Sequence, residues 1–126
     1  MDRNEIIANA RRDATTCTLR AMRLQRAAAT APAMFCTVIR DADGVITNAA
    51  HEVVPGGYNM MGLDLADVAL LSRRDAELFA RQYNGKPGST RYTATVATAK
   101  ETYEGLAQSA RHAGNVLRKA VAKATA

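Results

Sequence analysis

The sequence predicts one α+β domain: a small, mostly antiparallel sheet with one short helix, flanked by long N- and C-terminal helices packed on each other. Three observations carry this. Two Pro-free segments at the ends repeat apolar residues at alternating steps of three and four, the period of an amphipathic helix. The middle is instead punctuated by turn dipeptides and short β-branched runs. Finally, 126 residues suffice for one hydrophobic core and not for two, so residues 1–126 form a single domain.

The first helix is expected over residues 3–30. Its stripe is Ile7, Ala10, Ala14, Cys17, Ala21, Leu24 and Ala28, and Pro32 stops it. On a helical wheel Glu5, Arg12, Arg23 and Arg26 fall nearly opposite that stripe, so the outer face is mainly basic. Residues 34–98 then build the sheet. Met34–Ile39 and Val45–Thr47 have β character around the turn signal Asp41-Ala-Asp-Gly44, which reads as a hairpin. A short strand at Glu52–Val54 leads to a loop over 55–62, and an apolar run, Val68–Leu71, leads to Ser72 and Asp75, spaced as a helix cap. The short helix covers 73–84 with Ala76, Phe79, Ala80 and Tyr83 inward, and Asn84-Gly85 closes it. After a Lys86-Pro-Gly-Ser turn, the alternation over Tyr92–Thr98 predicts the longest strand.

The last helix is expected over 99–123, with Tyr103, Leu106, Ala110, Ala113, Leu117, Ala120 and Ala124 as its stripe. Gly105 and Gly114 each cost about 1 kcal/mol relative to alanine unless they admit a close backbone approach. Alanine supplies 26 of about 60 apolar residues. Concentrated in two stripes, it predicts closely packed, antiparallel terminal helices, joined within one chain or across a homodimer.

Net charge is +5 and unevenly spread: +3 over residues 1–33, −4 over 34–71 and +6 over 72–126. Thirteen of 17 basic residues are arginine, which suits bidentate phosphate or carboxylate recognition. The chain opens without a basic start and apolar run, and no stretch approaches 18 apolar residues; it reads as cytoplasmic, with no membrane partner. Cys17 and Cys36 lack metal-ligand spacing and read as core thiols, and neither His51, placed in the central loop, nor His112, exposed on the last helix, has a companion ligand. No cofactor motif is present, so neither a metal nor a cofactor is expected.

Residues 38–47, with Asp41-Ala-Asp-Gly44 after a strand, resemble the first motif of the haloacid-dehalogenase-like phosphotransferases. That resemblance implies Asp41 as nucleophile and Asp43 as acid/base. The same four residues make a good hairpin turn, and that reading is preferred: only Glu101 and Glu104 follow the last strand to close a magnesium site, and the chain is too short for that fold's parallel sheet. Residues 69–84, followed by 92–96, give a short strand, an Ala-rich helix and a strand, a pattern similar to that of small phage and prophage accessory proteins. It implies action by binding, as in anti-CRISPR-like inhibitors of host antiviral complexes, and assigns no residue.

The function expected is non-enzymatic engagement of a nucleic acid or nucleoprotein complex through basic helical faces. The candidate residues are Arg12, Arg23 and Arg26 on the first helix, Arg73, Arg74 and Arg81 on the short one, and Arg111, Arg118, Lys119 and Lys123 on the last. The alternative is a protein-directed inhibitor or assembly module that uses the helix seam or the 53–65 loop, with Tyr58, Met60 and Met61 as its contacts.

Overall fold

The computed structural model describes residues 2–86 and 93–126. The chain runs α1 (Arg3–Ala28), β1 (Phe35–Arg40), β2 (Ile46–Val54), β3 (Gly57–Gly62), a 3-10 turn (Leu65–Asp67), α2 (Arg73–Asn84), β4 (Ala94–Thr98) and α3 (Ala99–Thr125). The strands lie in the order β3-β2-β1-β4, and every neighbouring pair is antiparallel. This is the predicted α+β fold, with the terminal helices packed together within the chain. Among the described residues, no helix is long and apolar enough to cross a membrane.

Caps explain the helix boundaries. Asp2 accepts the Glu5 N–H at 2.8 Å to start α1, which ends at Ala28, two residues before the predicted stop, because the chain must turn out before Pro32. Ser72 accepts the Asp75 N–H at 3.1 Å to start α2 at the predicted residue. Thr98 and Glu101 cap each other's backbone in a capping box, so β4 passes into α3 with no residue between them.

The β1–β2 turn forms on Asp41–Gly44 as expected. One Asp41 carboxylate oxygen accepts the N–H groups of Asp43 (2.9 Å) and Val45 (3.0 Å), while Gly44 takes a φ of +82°. Two expectations fail next to it. Glu52–Val54 is the end of the nine-residue β2, not a separate strand, and 55–62 is not a loop. Pro55 and Gly56 (φ +74°) occupy the second and third places of a tight turn, the type II pattern, and Gly57–Gly62 returns along β2 as a strand. His51 therefore lies on β2, where its Nδ1 donates to the Asp67 carbonyl at 2.9 Å. β2 is also longer than β4, which begins at Ala94; Tyr92 and the predicted turn over 87–89 lie outside the described residues.

The sheet separates two apolar layers. On one face, Cys36, Val38, Ile46, Ala49 and Ala97 meet Ala21, Leu24 and Ala28 of α1 and Tyr103, Leu106 and Ala110 of α3. Strand alternation sends the intervening residues the other way: Ile39, Ala50 and Met60 pack with Phe79 of α2, and the buried Thr37 hydroxyl donates to the Ala76 carbonyl at 2.8 Å. Burial pushes the Cys36 thiol pKa up, against a hydrogen bond with Thr102, in keeping with a core thiol; Cys17 is half-buried in the helix seam.

α1 and α3 run antiparallel. Arg3 donates to the Ala124 carbonyl near one end, Arg118 reaches Ala14 and Thr18 midway, and Leu24 shares the core with Tyr103 and Leu106 at the other end. The predicted stripe of α3 is only half right. Tyr103, Leu106 and Ala110 are buried, but Ala113 and Ala120 are exposed, and Gly114 takes the seam position instead. α3 has two neighbours, the sheet and α1, and from residue 113 onward only α1 remains beside it. No residue of 3–13 or 115–125 is buried, so both helices continue past the sheet as a two-helix arm about 16 Å long.

Gly105 is a close-approach glycine. A methyl there would stand 2.7 Å from Cβ of Ile46, an atom next to the backbone that has little room to yield. Gly105→Ala is therefore expected to destabilise by about 1 to 2 kcal/mol, the overpacking cost outweighing the gain in helix propensity. Urea unfolding checks the sign.

Candidate nucleic-acid interface

The ten basic candidates fall on opposite sides of the sheet. α1 and α3 cover one face and α2 the other, so Arg73, Arg74 and Arg81 do not join the surface that carries the remaining seven. Three of the ten are held internally. Arg23 donates to Asp64 at 2.7 Å, Arg73 pairs with Glu77 at 3.3 Å and lies 5.5 Å from the centre of the Phe35 ring, and Arg118 donates to the Ala14 carbonyl (3.3 Å), Asn115 (3.3 Å) and the Thr18 hydroxyl. Arg118 thus acts first as a clasp between the two long helices. The side chains of Arg12, Arg26, Arg74, Arg81, Arg111, Lys119 and Lys123 make no hydrogen bond or ion pair among the described residues.

Arg11 completes this surface, and sequence reasoning left it out. It faces Arg118 across a shallow groove of about 330 Å³, floored by Ala14, Thr15, Val121 and Ala122. On α1 alone Arg11 lies at the margin of the apolar stripe; only the position of α3 makes it a groove wall. Arg111 and Arg118, seven residues apart, share one line of α3, and Arg11 to Arg26 spans about 22 Å along α1. That length matches six or seven phosphate steps of one strand. Tyr103, the one Phe, Tyr or Trp of α1 and α3, is buried, which leaves the exposed His112 imidazole as the ring these helices offer for base stacking. Such a face is suited to phosphate charge and spacing more than to base sequence.

Asp64 fixes α1 to the β3 end of the sheet. It caps the 3-10 turn by accepting the Leu65 N–H at 2.7 Å and receives Arg23, with Arg20 at 3.8 Å. Burial alone would raise its pKa, but the Arg23 hydrogen bond, the Leu65 N–H and the two arginine charges together hold it below the usual aspartate range. A lowered native pKa means that the stability this carboxylate contributes is complete above about pH 4 and is lost as pH falls through the lowered value. Asp64→Asn is expected to lower stability at neutral pH and to flatten the acid limb of a stability profile obtained by urea unfolding.

The 53–65 segment differs from its expectation. Met60 is only 7% exposed and belongs to the core. Tyr58 is half-buried, with its ring centre 5.4 Å from that of Phe79, and burial beside Glu52 raises its hydroxyl pKa. Both side chains are occupied because 57–62 is a strand that alternates onto the α2 layer. Met61, at 69% exposure, stays free, joined on this ribbon by exposed Val53, Val54 and Leu63.

Asp41 is committed to its turn, and β1, which precedes it, pairs antiparallel on both sides; the parallel sheet implied by the phosphotransferase resemblance is not formed among the described residues. Asp43 lies at a cleft with Glu101, Glu104 and Arg40. No cluster of three or more His, Cys, Asp or Glu placed to hold a metal occurs among the described residues. No protein-family model, curated protein or solved structure matches this chain.

Proposed function

We propose that this protein is a non-enzymatic binding protein that engages nucleic acid, bare or within a nucleoprotein complex, through the outer face of the α1–α3 pair. The observation that carries the reading is the excess of unpaired basic side chains on the α1–α3 pair. Residues 111–126 hold unpaired Arg111, Lys119 and Lys123 with no acidic residue, and Arg11, Arg12 and Arg26 lie on the helix packed beside them, while Arg118 is held as the clasp between the two. Unpaired arginines favour sequence-independent contact with phosphates. The resemblance of 69–84 and 92–96 to phage accessory proteins fits such a role and adds no residue to it. Random duplex and single-stranded oligonucleotides titrated over a salt series test the proposal. Affinity should fall linearly on logarithmic axes, with a slope of roughly −3 to −5 for four to six phosphate contacts. Absence of binding at low salt removes the reading.

A protein-directed role is the second reading, favoured by Val53, Val54, Met61 and Leu63 exposed beside the edge strand β3. It requires partner capture that survives nuclease and is lost in Val54→Asp/Met61→Asp.

A further inference from the structure

The underside of the arm, the side that would face the sheet if the sheet extended further, is apolar and uncovered. Val116 (52% exposed) and Ile6 (54% exposed) lie there with Ala113 and Ala120, in line with sheet-contacting residues of the same helices such as Leu106 and Leu24. At the inner end, where the arm leaves the sheet, a cavity of about 220 Å³ opens between Arg20, Leu63, Ser109 and Ala113. Arg20 Nε, buried at this end, makes no hydrogen bond among the described residues and has the Asp64 carboxylate at 3.8 Å as its ionic partner. The surface thus continues the core without a layer to cover it. Two adjacent helices of 11 residues each, supported only by one another, gain most from such a layer.

We propose that this underside docks an acidic amphipathic helix of a partner protein, which completes a three-helix bundle with α1 and α3. Charge selects the occupant. The α3 side of the groove is edged by Lys119 and Lys123, neither with an ionic partner among the described residues, whereas Arg20 at the inner end is already paired with Asp64. Against them the α1 side sets Asp13. A helix with leucine-like residues at i, i+3 or i+4 and i+7 fills the Ala113–Val116–Ala120 line, while glutamates on its flank meet the lysines.

A second copy of the chain fits less well. Arms laid parallel drive each sheet into the other's helices, and arms laid antiparallel place α3 on α3, which brings Lys119 and Lys123 toward their own copies. Arg11, Arg111 and Arg118 lie on the other side of the arm, whereas Lys119 and Lys123 serve both readings, so Val116→Asp, which alters no basic residue, is the variant that separates this inference from the nucleic-acid reading.

The test uses the full chain and a labelled synthetic helix built from Leu/Glu heptads, with a Leu/Lys counterpart and a sequence-scrambled Leu/Glu peptide. Saturable binding of the Leu/Glu helix alone is expected, weakened at least about tenfold by Val116→Asp and similarly by Lys119→Glu/Lys123→Glu. Both changes lie at exposed positions, and an unchanged circular dichroism spectrum verifies the fold. The proposal is overturned if the Leu/Glu helix fails to bind or if the scrambled peptide binds equally. It is likewise overturned if Arg11→Glu/Arg111→Glu abolishes binding and Val116→Asp does not, which would place the peptide on the outer face. Sedimentation showing a dimer that Val116→Asp dissociates would assign the surface to a second copy instead.

Discussion

Leu24→Ala is expected to cost about 3 kcal/mol of folding stability, within the 2 to 5 kcal/mol range of large-to-small core changes. Leu24 is 0% exposed and sits where α1, α3 and the sheet meet, in one cluster with Val38, Ile46 and Leu106. Its neighbours on α1, Ala21 and Ala28, are already at minimal size and cannot fill the space. The sheet is held from the far side by α2, so collapse into the cavity is restricted from two directions and the cost should fall in the middle of that range or above it. Leu117→Ala serves as the internal comparison: the same chemistry at a half-buried site on the arm should cost about 1 kcal/mol. Urea unfolding of both variants decides the matter. Equal losses would mean that the arm is packed as tightly as the core.

Reversal of Arg11, Arg12, Arg26 and Arg111 to glutamate is expected to weaken nucleic-acid binding at least about a hundredfold at low salt and to reduce the salt slope by roughly 3 to 4 units, about one per lost phosphate contact. None of the four side chains has a partner among the described residues, so the variant loses no internal bond and its fold should be unaffected. Arg118 is left out of this set on purpose. Its guanidinium clasps Ala14 and Thr18, so a change there would mix structural and binding effects. Arg74→Glu/Arg81→Glu is the spatial counterpart, with half the charge change on the α2 side of the sheet. Under the proposal it changes affinity only through net charge, by a few-fold. Equal losses per reversed charge in the two variants, measured by fluorescence anisotropy, would show that binding follows overall charge and uses no defined face.

Helices were more legible in the sequence than strands, for a physical reason. The stripe of α1 repeats through seven turns and Ser72 and Thr98 supply local caps, so the start of α2 and the junction at Thr98–Ala99 could be placed to the residue. β3 was missed because its segment, Gly57–Gly62, has glycine at both ends and two adjacent methionines; its strand state depends on β2 lying beside it and on the Pro55-Gly56 turn. The same error made Met60 a surface residue when strand pairing turns it into the α2 layer. The candidate site was legible as a list of charges. Which charges remain available was not: Arg23, Arg73 and Arg118 are removed by partners that the fold brings to them, and Arg11 is added.

By itself, then, the sequence determined the α+β class, two clasped terminal helices with small residues along their seam, and an acidic middle between basic ends. Each of these follows from local periodicity, capping chemistry or composition, which act between residues close in the chain. Only the tertiary structure decided that α1 and α3 outrun the sheet, that α2 stands on the opposite face, and that Gly105 is required at the Ile46 contact. Those properties depend on which surfaces meet across long stretches of chain. The alanine-rich stripe of α3 is the clearest example: near the sheet it is core, and past residue 113 the same kind of pattern is surface, because nothing in the described chain lies beneath it.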